Sequence, residues 1–506
     1  MQPDVVVALD AGGGSGRSAV FDLQGKLLGM ATEDWAARVP EDEPLGAEFD
    51  PQEVWAALCR TTRRALERAG LTPQAVRAIS TTSQRDGCVF LDAQGNELLC
   101  TVNRDARGVL HAEDLAREFG ETVYRITGRW PLGLNALDRL GWLRIYQPEV
   151  YRSVAQVLMI SDWLTFRLSG QFCSEPTNAS SSLLFDVGQH CWSAELAGTF
   201  GYSPGICPRC YGPGQVGGEL TAQAAKELGL PEGIPVAIGA ADSQAACLGC
   251  AALDEGVTTV IAGTTIPVQM VLSRPVFDEL HRVHLGAYVT PGHWVLESNG
   301  GLAGTSYRWF CETFVGTVPL SFAATGSSAY ATLEEEMQHA DPGEVMAVVG
   351  PQIADFRQLA FPPRSVFTFP FLAATERPPA RGAFGRAILE NIAFAVRGNL
   401  DQLVEISAGA VTALNLCGGL AHSSLLPHII ADVCEQPVHV PVVREASALG
   451  AAICAAVGAG FYPDLPSAAA AMVHWEPIVE PDPANTRRYK GLYRRWGTLF
   501  QQASNL

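Results

Sequence analysis

Basic residues are in short supply. The 506-residue chain has 35 Lys and Arg against 53 Asp and Glu, a net charge of −18. Such a surface argues against nucleic acid or an anionic membrane as a general partner. No apolar run is long enough for a transmembrane helix; the most apolar stretch, 446–461, is short and rich in Ala and Gly. No basic-then-apolar leader opens the sequence, where strand-like residues begin at Val5. A cytoplasmic protein is therefore expected. A disulfide framework is not: thirteen scattered cysteines read as reduced thiols. The C-x-x-C pairs Cys207/Cys210 and Cys247/Cys250 suggest zinc by spacing alone. The second pair lies in a small-residue helical run, which favours packing. The Walker A pattern and the protein-kinase H-R-D and D-F-G motifs are absent too.

What is present begins at residue 5. An apolar strand runs into Asp10, and Gly12-Gly13-Gly14-Ser15 follow. Glycine lets backbone N–H groups approach a ligand, and such a nest suits phosphate. A carboxylate beside phosphate is repulsive unless a divalent cation lies between them. After the turn comes a second strand, 18–23, a tight turn at 23–26, and a third strand, 27–30. A dinucleotide fold needs a helix there and a glycine at Arg17. A phosphate-binding hairpin fits and a dehydrogenase does not, although an ordinary Gly-rich hairpin has the same pattern.

A helix is expected from Pro51, capped by Asp50, with Glu53 completing a capping-box-like pattern and Gly70 ending it. A strand, 76–81, follows, then longer helical segments over 110–170. The pattern restarts with a strand at 257–262, the turn Gly263-Thr264-Thr265 and a strand at 268–272. A long helix (387–406), a strand (413–417), Gly418-Gly419 and a strand (438–442) come later. Two similar lobes explain this repeat, with a break near Gly249–Gly256 and domains at 1–250 and 251–506.

Several segments in this order resemble the FGGY family of carbohydrate kinases. They are the two Gly-rich hairpins, AADSQ (240–244), NLCGG (415–419), SQRDG (83–87), NRDARG (103–108), ISDWLTFRLSG (160–170), PTNASSSLLFD (176–186) and REASALGAA (444–452). The resemblance implies an α/β fold of two actin-like lobes, of the hexokinase, Hsp70 and ribonuclease H type, around a central cleft. It implies ATP and Mg2+ as cofactors, a small sugar or polyol as partner, and a homodimer as the one protein assembly entertained.

The resemblance assigns roles residue by residue. Asp242 is the general base and also meets the substrate, and Asp10 holds magnesium through water. Gly12, Gly13, Gly14 and Ser15, with Gly263, Thr264 and Thr265, cradle the transferring phosphate. Gly418, Gly419 and Ser423 contact the nucleotide. Gln84, Arg85, Asp86, Asn103 and Asp105 face the sugar. Within the family the wording is most similar to the autoinducer-2 kinases, which phosphorylate an open-chain dihydroxy-pentanedione. Xylulose kinases usually place Met-His at Arg85 and Asp86, and Trp at Asn103. Xylulose or another ketose or polyol is the alternative substrate. A non-catalytic, nucleotide-binding sensor is the alternative of another class.

The chain departs from the family at Gly13, where a hydroxyl residue is usual, and in the connection from 369–377 to Ala380-Arg381-Gly382. The same residues have plainer uses. Asp242 suits a helix N-cap. Arg85 and Asp86 suit a surface ion pair, Arg444 and Glu445 a structural one, and Gly418-Gly419 a simple turn.

Overall fold

Seven consecutive buried residues, Val5–Ala11, form a strand inside a six-stranded sheet. The computed structural model describes residues 3–316, 328–357, 364–370 and 378–505. The sheet order is Val216–Glu219, Pro235–Ala241, Val76–Ser83, Val5–Ala11, Ser15–Asp22, Leu27–Asp34. The last three strands are antiparallel, and Val5–Ala11, Val76–Ser83 and Pro235–Ala241 run parallel. A continuous apolar run such as VVVALDA is what a strand covered on both faces requires.

Helix Pro51–Ala69 covers the hairpin. Its Asp50 cap accepts from the N–H groups of Gln52 and Glu53, and Gly70 closes it in the left-handed region. Glu53 does not complete the capping box among the described bonds; its carboxylate meets Arg38 at 3.2 Å. Thr61 and Thr62 meet Ser18 of the hairpin through their hydroxyls, at 2.7 and 3.0 Å. The helical segments expected over 110–170 are Val109–Thr127, Ala136–Tyr146, Pro148–Ser153 and Ile160–Ser169.

The second half repeats the pattern. Val257–Ile261 pairs antiparallel with Pro267–Leu272 and parallel with Ala413–Cys417, which pairs parallel with Val438–His439. Helix Arg381–Ser407 supplies much of the apolar core here. The strand expected over 438–442 stops at His439. Pro441 has no N–H to give a ladder, and the Val440 carbonyl accepts from Glu476 N instead.

The compact units are not contiguous halves. One comprises Met1–Leu253, Leu272–Val295 and Ala446–His474; the other comprises Asp254–Val271, Leu296–Glu445 and Trp475–Leu506. Helix Ala446–Gly458 thus belongs with the first sheet, packed on strands Val5–Ala11, Val76–Ser83 and Pro235–Ala241.

Candidate active site

The strand register brings the first group of residues together. Ala11 pairs with Ser83, and Ser83 with Ala241. The next residue on each parallel strand is Gly12, Gln84 and Asp242. All three therefore lie at the carboxyl ends of adjacent parallel strands, where open α/β sheets bind ligands. Two strand spacings separate the Gly12 and Asp242 backbones, about 10 Å.

Asp242 opens helix Asp242–Leu248 as its first helical residue; Ala241 holds the cap position. Its Oδ1 accepts from Ser243 N at 2.7 Å, and the residue is half-buried. The N-cap use is thus not the one observed. A close helix crossing holds this helix in place: a Cβ on Gly450 would run into the Ala245 carbonyl. The segment 444–452 therefore contributes to placing Asp242.

In the Gly-rich turn, Gly12 N donates to Ser15 O at 3.0 Å, while Gly13 and Gly14 are exposed. Asp10 is 7% exposed, with Arg17 Nη1 at 3.3 Å from its Oδ2. Burial pushes its carboxyl above the usual carboxylate range, and Arg17 pulls it part of the way back. No cluster of three His, Cys, Asp or Glu suited to a metal occurs among the described residues. The arrangement fits Mg2+, which is commonly held by one or two carboxylates together with water and substrate phosphates.

Gln84 and Asn103 stand beside this turn. A Cβ on Gly13 would lie 3.7 Å from Gln84 Oε1 and 4.0 Å from Asn103 Oδ1. Asp86 has φ 66°, in the left-handed region. It accepts from Arg129 Nη1 at 3.4 Å and Asn135 Nδ2 at 3.2 Å, and its N–H donates to Ser181 Oγ at 3.3 Å. Its ion pair is thus with Arg129. Arg85 and Arg129 both act on His284, which burial and these two positive charges hold well below the ordinary imidazole range. Sequence reasoning missed Arg129, Asn135 and His284 in this group. Nothing local to them signals it, because their partners are 43 or more residues away.

Asp105, expected to face the sugar, is wholly buried. Its carboxylate takes Arg107 at 2.8 Å, Arg139 at 3.3 Å and Ala47 N at 2.7 Å. Arg139 also reaches the Asp86 carbonyl. Asp105 therefore anchors the scaffold behind the site.

In the second unit, Gly263 and Gly418 follow paired strand ends, Ile261 and Cys417. Gly263 N donates to Thr265 O at 3.0 Å, and Thr264 is exposed. Gly418 has φ 90°, and a Cβ there would lie 2.7 Å from Ala262 O, so this turn requires glycine. Gly419 begins the short 3-10 turn Gly419–His422. Ser423 Oγ accepts from Leu425 N and Leu426 N, both at 3.2 Å, just ahead of helix Leu426–Cys434. It also lines a cavity of about 280 Å³ with His422, His428, Arg444 and Glu476. Arg444 pairs with Glu476 at 3.6 Å. The departure noted at 369–377 falls largely on 371–377, outside the described residues.

Comparison with known proteins settles the family. Residues 5–249 match the N-terminal domain of the FGGY family of carbohydrate kinases, and residues 258–459 match its C-terminal domain. The chain belongs to the FGGY carbohydrate kinases. This FGGY kinase is 33% identical to the autoinducer-2 kinase of Salmonella typhimurium over 500 residues, covering 98% of this chain and 94% of that one. Its fold resembles gluconate kinase from Lactobacillus acidophilus (TM-score 0.84, 18% identity, 99% of each chain). Xylulose kinase from Rhodospirillum rubrum is similar (TM-score 0.81, 24% identity, 98% of each chain). The fold is thus that of two-domain sugar kinases of the actin-like ATPase type. As a family member the chain is a phosphotransferase acting on a hydroxyl of a small sugar-like substrate, with ATP as the family's donor. No helix among the described residues is long and apolar enough to cross a membrane.

Proposed function

We propose that this kinase phosphorylates a terminal hydroxyl of a short, open-chain, highly oxygenated acceptor, first of all 4,5-dihydroxy-2,3-pentanedione, autoinducer-2. The observation that carries the reading is the density of polar side chains here: Gln84 and Asn103 beside the Gly-rich turn, and Arg129 and Asn135 on Asp86, next to Arg85. A site lined by so many donors and acceptors rejects an acceptor that leaves them unpaired. The similarity to the Salmonella autoinducer-2 kinase supports the same choice.

In this reading Asp242 takes the proton from the attacking hydroxyl. The Gly12–Ser15 turn and Gly263-Thr264-Thr265 meet the phosphates through N–H groups other than those of Gly12 and Gly263, which donate within their own turns, and the cavity beside Ser423 takes the nucleotide. Asp10 holds Mg2+, which neutralises charge on the phosphates. Phosphoryl transfer asks mainly for this positioning and neutralisation.

A coupled ADP-release assay over the dione, D-xylulose and a panel of ketoses and polyols tests the assignment. The highest kcat/KM is expected for the dione. A clear preference for D-xylulose overturns the autoinducer reading and leaves a ketose kinase.

A further inference from the structure

We propose that Thr82 and Thr177 are positioning residues for Asp242: they hold the Ala240–Ala241 peptide, and through it aim the Asp242 carboxylate at the acceptor hydroxyl. The proposal rests on the reading of Asp242 as the base. Thr82 Oγ1 donates to the Ala240 carbonyl at 2.8 Å, and Ala241 N donates to Thr177 Oγ1 at 2.8 Å. Both threonines are wholly buried. The carbonyl and the N–H of a trans peptide point in opposite directions. Two hydroxyls from different elements therefore grip the two ends of one peptide plane, the last within strand Pro235–Ala241.

The sheet is irregular at this point. The pairing of Pro235–Ala241 with Val76–Ser83 shifts register between Ala237 and Ala240. Gly239 lies so close to the neighbouring strand that a Cβ on it would run into the Thr81 carbonyl. Such irregularities are frequent beside active sites, where they re-aim a side chain. Ala240 and Ala241 carry no polar side-chain atom that could fix the new direction. Hydroxyls from outside the strand do so instead.

Thr177 is itself held. It lies in the short helix Pro176–Ala179, within the PTNAS segment, and Glu175 caps that helix. The Glu175 carboxylate accepts from Thr177 N and Asn178 N at 2.6 and 2.7 Å. Burial pushes the Glu175 carboxyl up, and a bond from the Thr177 side chain draws it back. The Thr177 hydroxyl thus joins a buried carboxyl to the Ala241 N–H. Ala241 is the cap position of helix Asp242–Leu248, and Asp242 is its first residue. Turning this peptide swings the carboxylate with it, and a base acts only within hydrogen-bond reach of its proton.

The test measures steady-state turnover of the full chain with ATP and the dione, or D-xylulose if that is the better acceptor. Thr177→Val keeps the shape and removes the hydroxyl. Its kcat is expected to fall about tenfold or more, with KM for both substrates within about twofold. Thr177→Ser keeps the oxygen and should recover most of the loss. Thr82→Val should lower kcat about threefold or more with the same split. In an Asp242→Asn background, Thr177→Val should cost less than about twofold further, because the group it positions is gone. A merely structural role would cost the same in both backgrounds. If Thr177→Val fails to fold, Thr82→Val goes through the same cycle and decides. Wild-type kcat in either valine variant, no recovery in Thr177→Ser, or an undiminished loss in the Asp242→Asn background overturns the proposal. Near-normal turnover in Asp242→Asn alone is a different failure: it overturns the base reading itself, and the positioning of that base with it.

Discussion

The Gln84 side-chain amide donates to the Gly12 carbonyl at 3.2 Å, and its Oε1 accepts from Asn103 N at 3.2 Å. One buried side chain thus ties the Gly-rich turn to the segment carrying Asn103. Gln84→Ala removes both bonds, each worth about 0.5–1.5 kcal/mol. We expect kcat/KM to fall by about 10–100-fold for both sugar and ATP in steady-state assays. A fall confined to the sugar would mean that the turn stands without this brace.

Asp242→Asn keeps the shape at the end of strand Pro235–Ala241 and removes the base. Turnover should drop by about 10²–10⁴-fold, with nucleotide affinity by calorimetry nearly unchanged. Near-normal turnover would take Asp242 out of the proton transfer.

Asp10→Ala should reduce magnesium-dependent turnover by more than about 100-fold while the thermal melt stays cooperative. The wild type should lose activity to a chelator and regain it on adding Mg2+. Survival of activity under both treatments would reduce Asp10 to a hairpin residue.

The space at Gly13 allows a direct test of the missing hydroxyl. Gly13→Ser fits between Gln84 Oε1 and Asn103 Oδ1 without a clash, since the Cβ contacts are 3.7 and 4.0 Å. One added hydrogen bond to phosphate should lower KM for ATP by about threefold to tenfold. An unchanged KM would show that backbone donors already suffice.

Asp138 makes stability depend on pH. Burial pushes its carboxyl from 3.8 up to about 7. The folded state therefore holds a proton that the unfolded chain releases above pH 4. The contribution is fully present below that pH and is lost as pH rises to about 7. Asp138→Asn keeps an acceptor for Asn135 N, which Asp138 Oδ2 takes at 3.1 Å. Melting curves between pH 4 and 8 should show a flatter pH dependence for this variant, and a higher melting temperature at pH 8. Parallel profiles for the two proteins would place the titration elsewhere.

The elements legible in the sequence are those written in local chemistry. Strand Val5–Ala11, its Gly turn, and helix Pro51–Ala69 with its Asp50 cap depend on neighbours within a few residues. The burial of Asp105 was not legible because NRDARG carries no sign of Arg139, 34 residues on, which binds its carboxylate. Arg129 and Asn135 could not be read for the same reason: a long-range partner, Asp86, gives them their place. The split of the chain into interleaved units was hidden likewise, because apolar 446–458 reads as a helix without saying which sheet it covers.

That last helix has a consequence for synthesis. The first sheet is complete by Ala241, yet Ala446–Gly458, which packs on its central strands, lies about two hundred residues further along. At about 5–20 residues per second, the ribosome leaves that face of the sheet bare for roughly 10–40 s. A nascent chain must be shielded over this interval, and a fragment ending near residue 250 would keep the sticky surface for good.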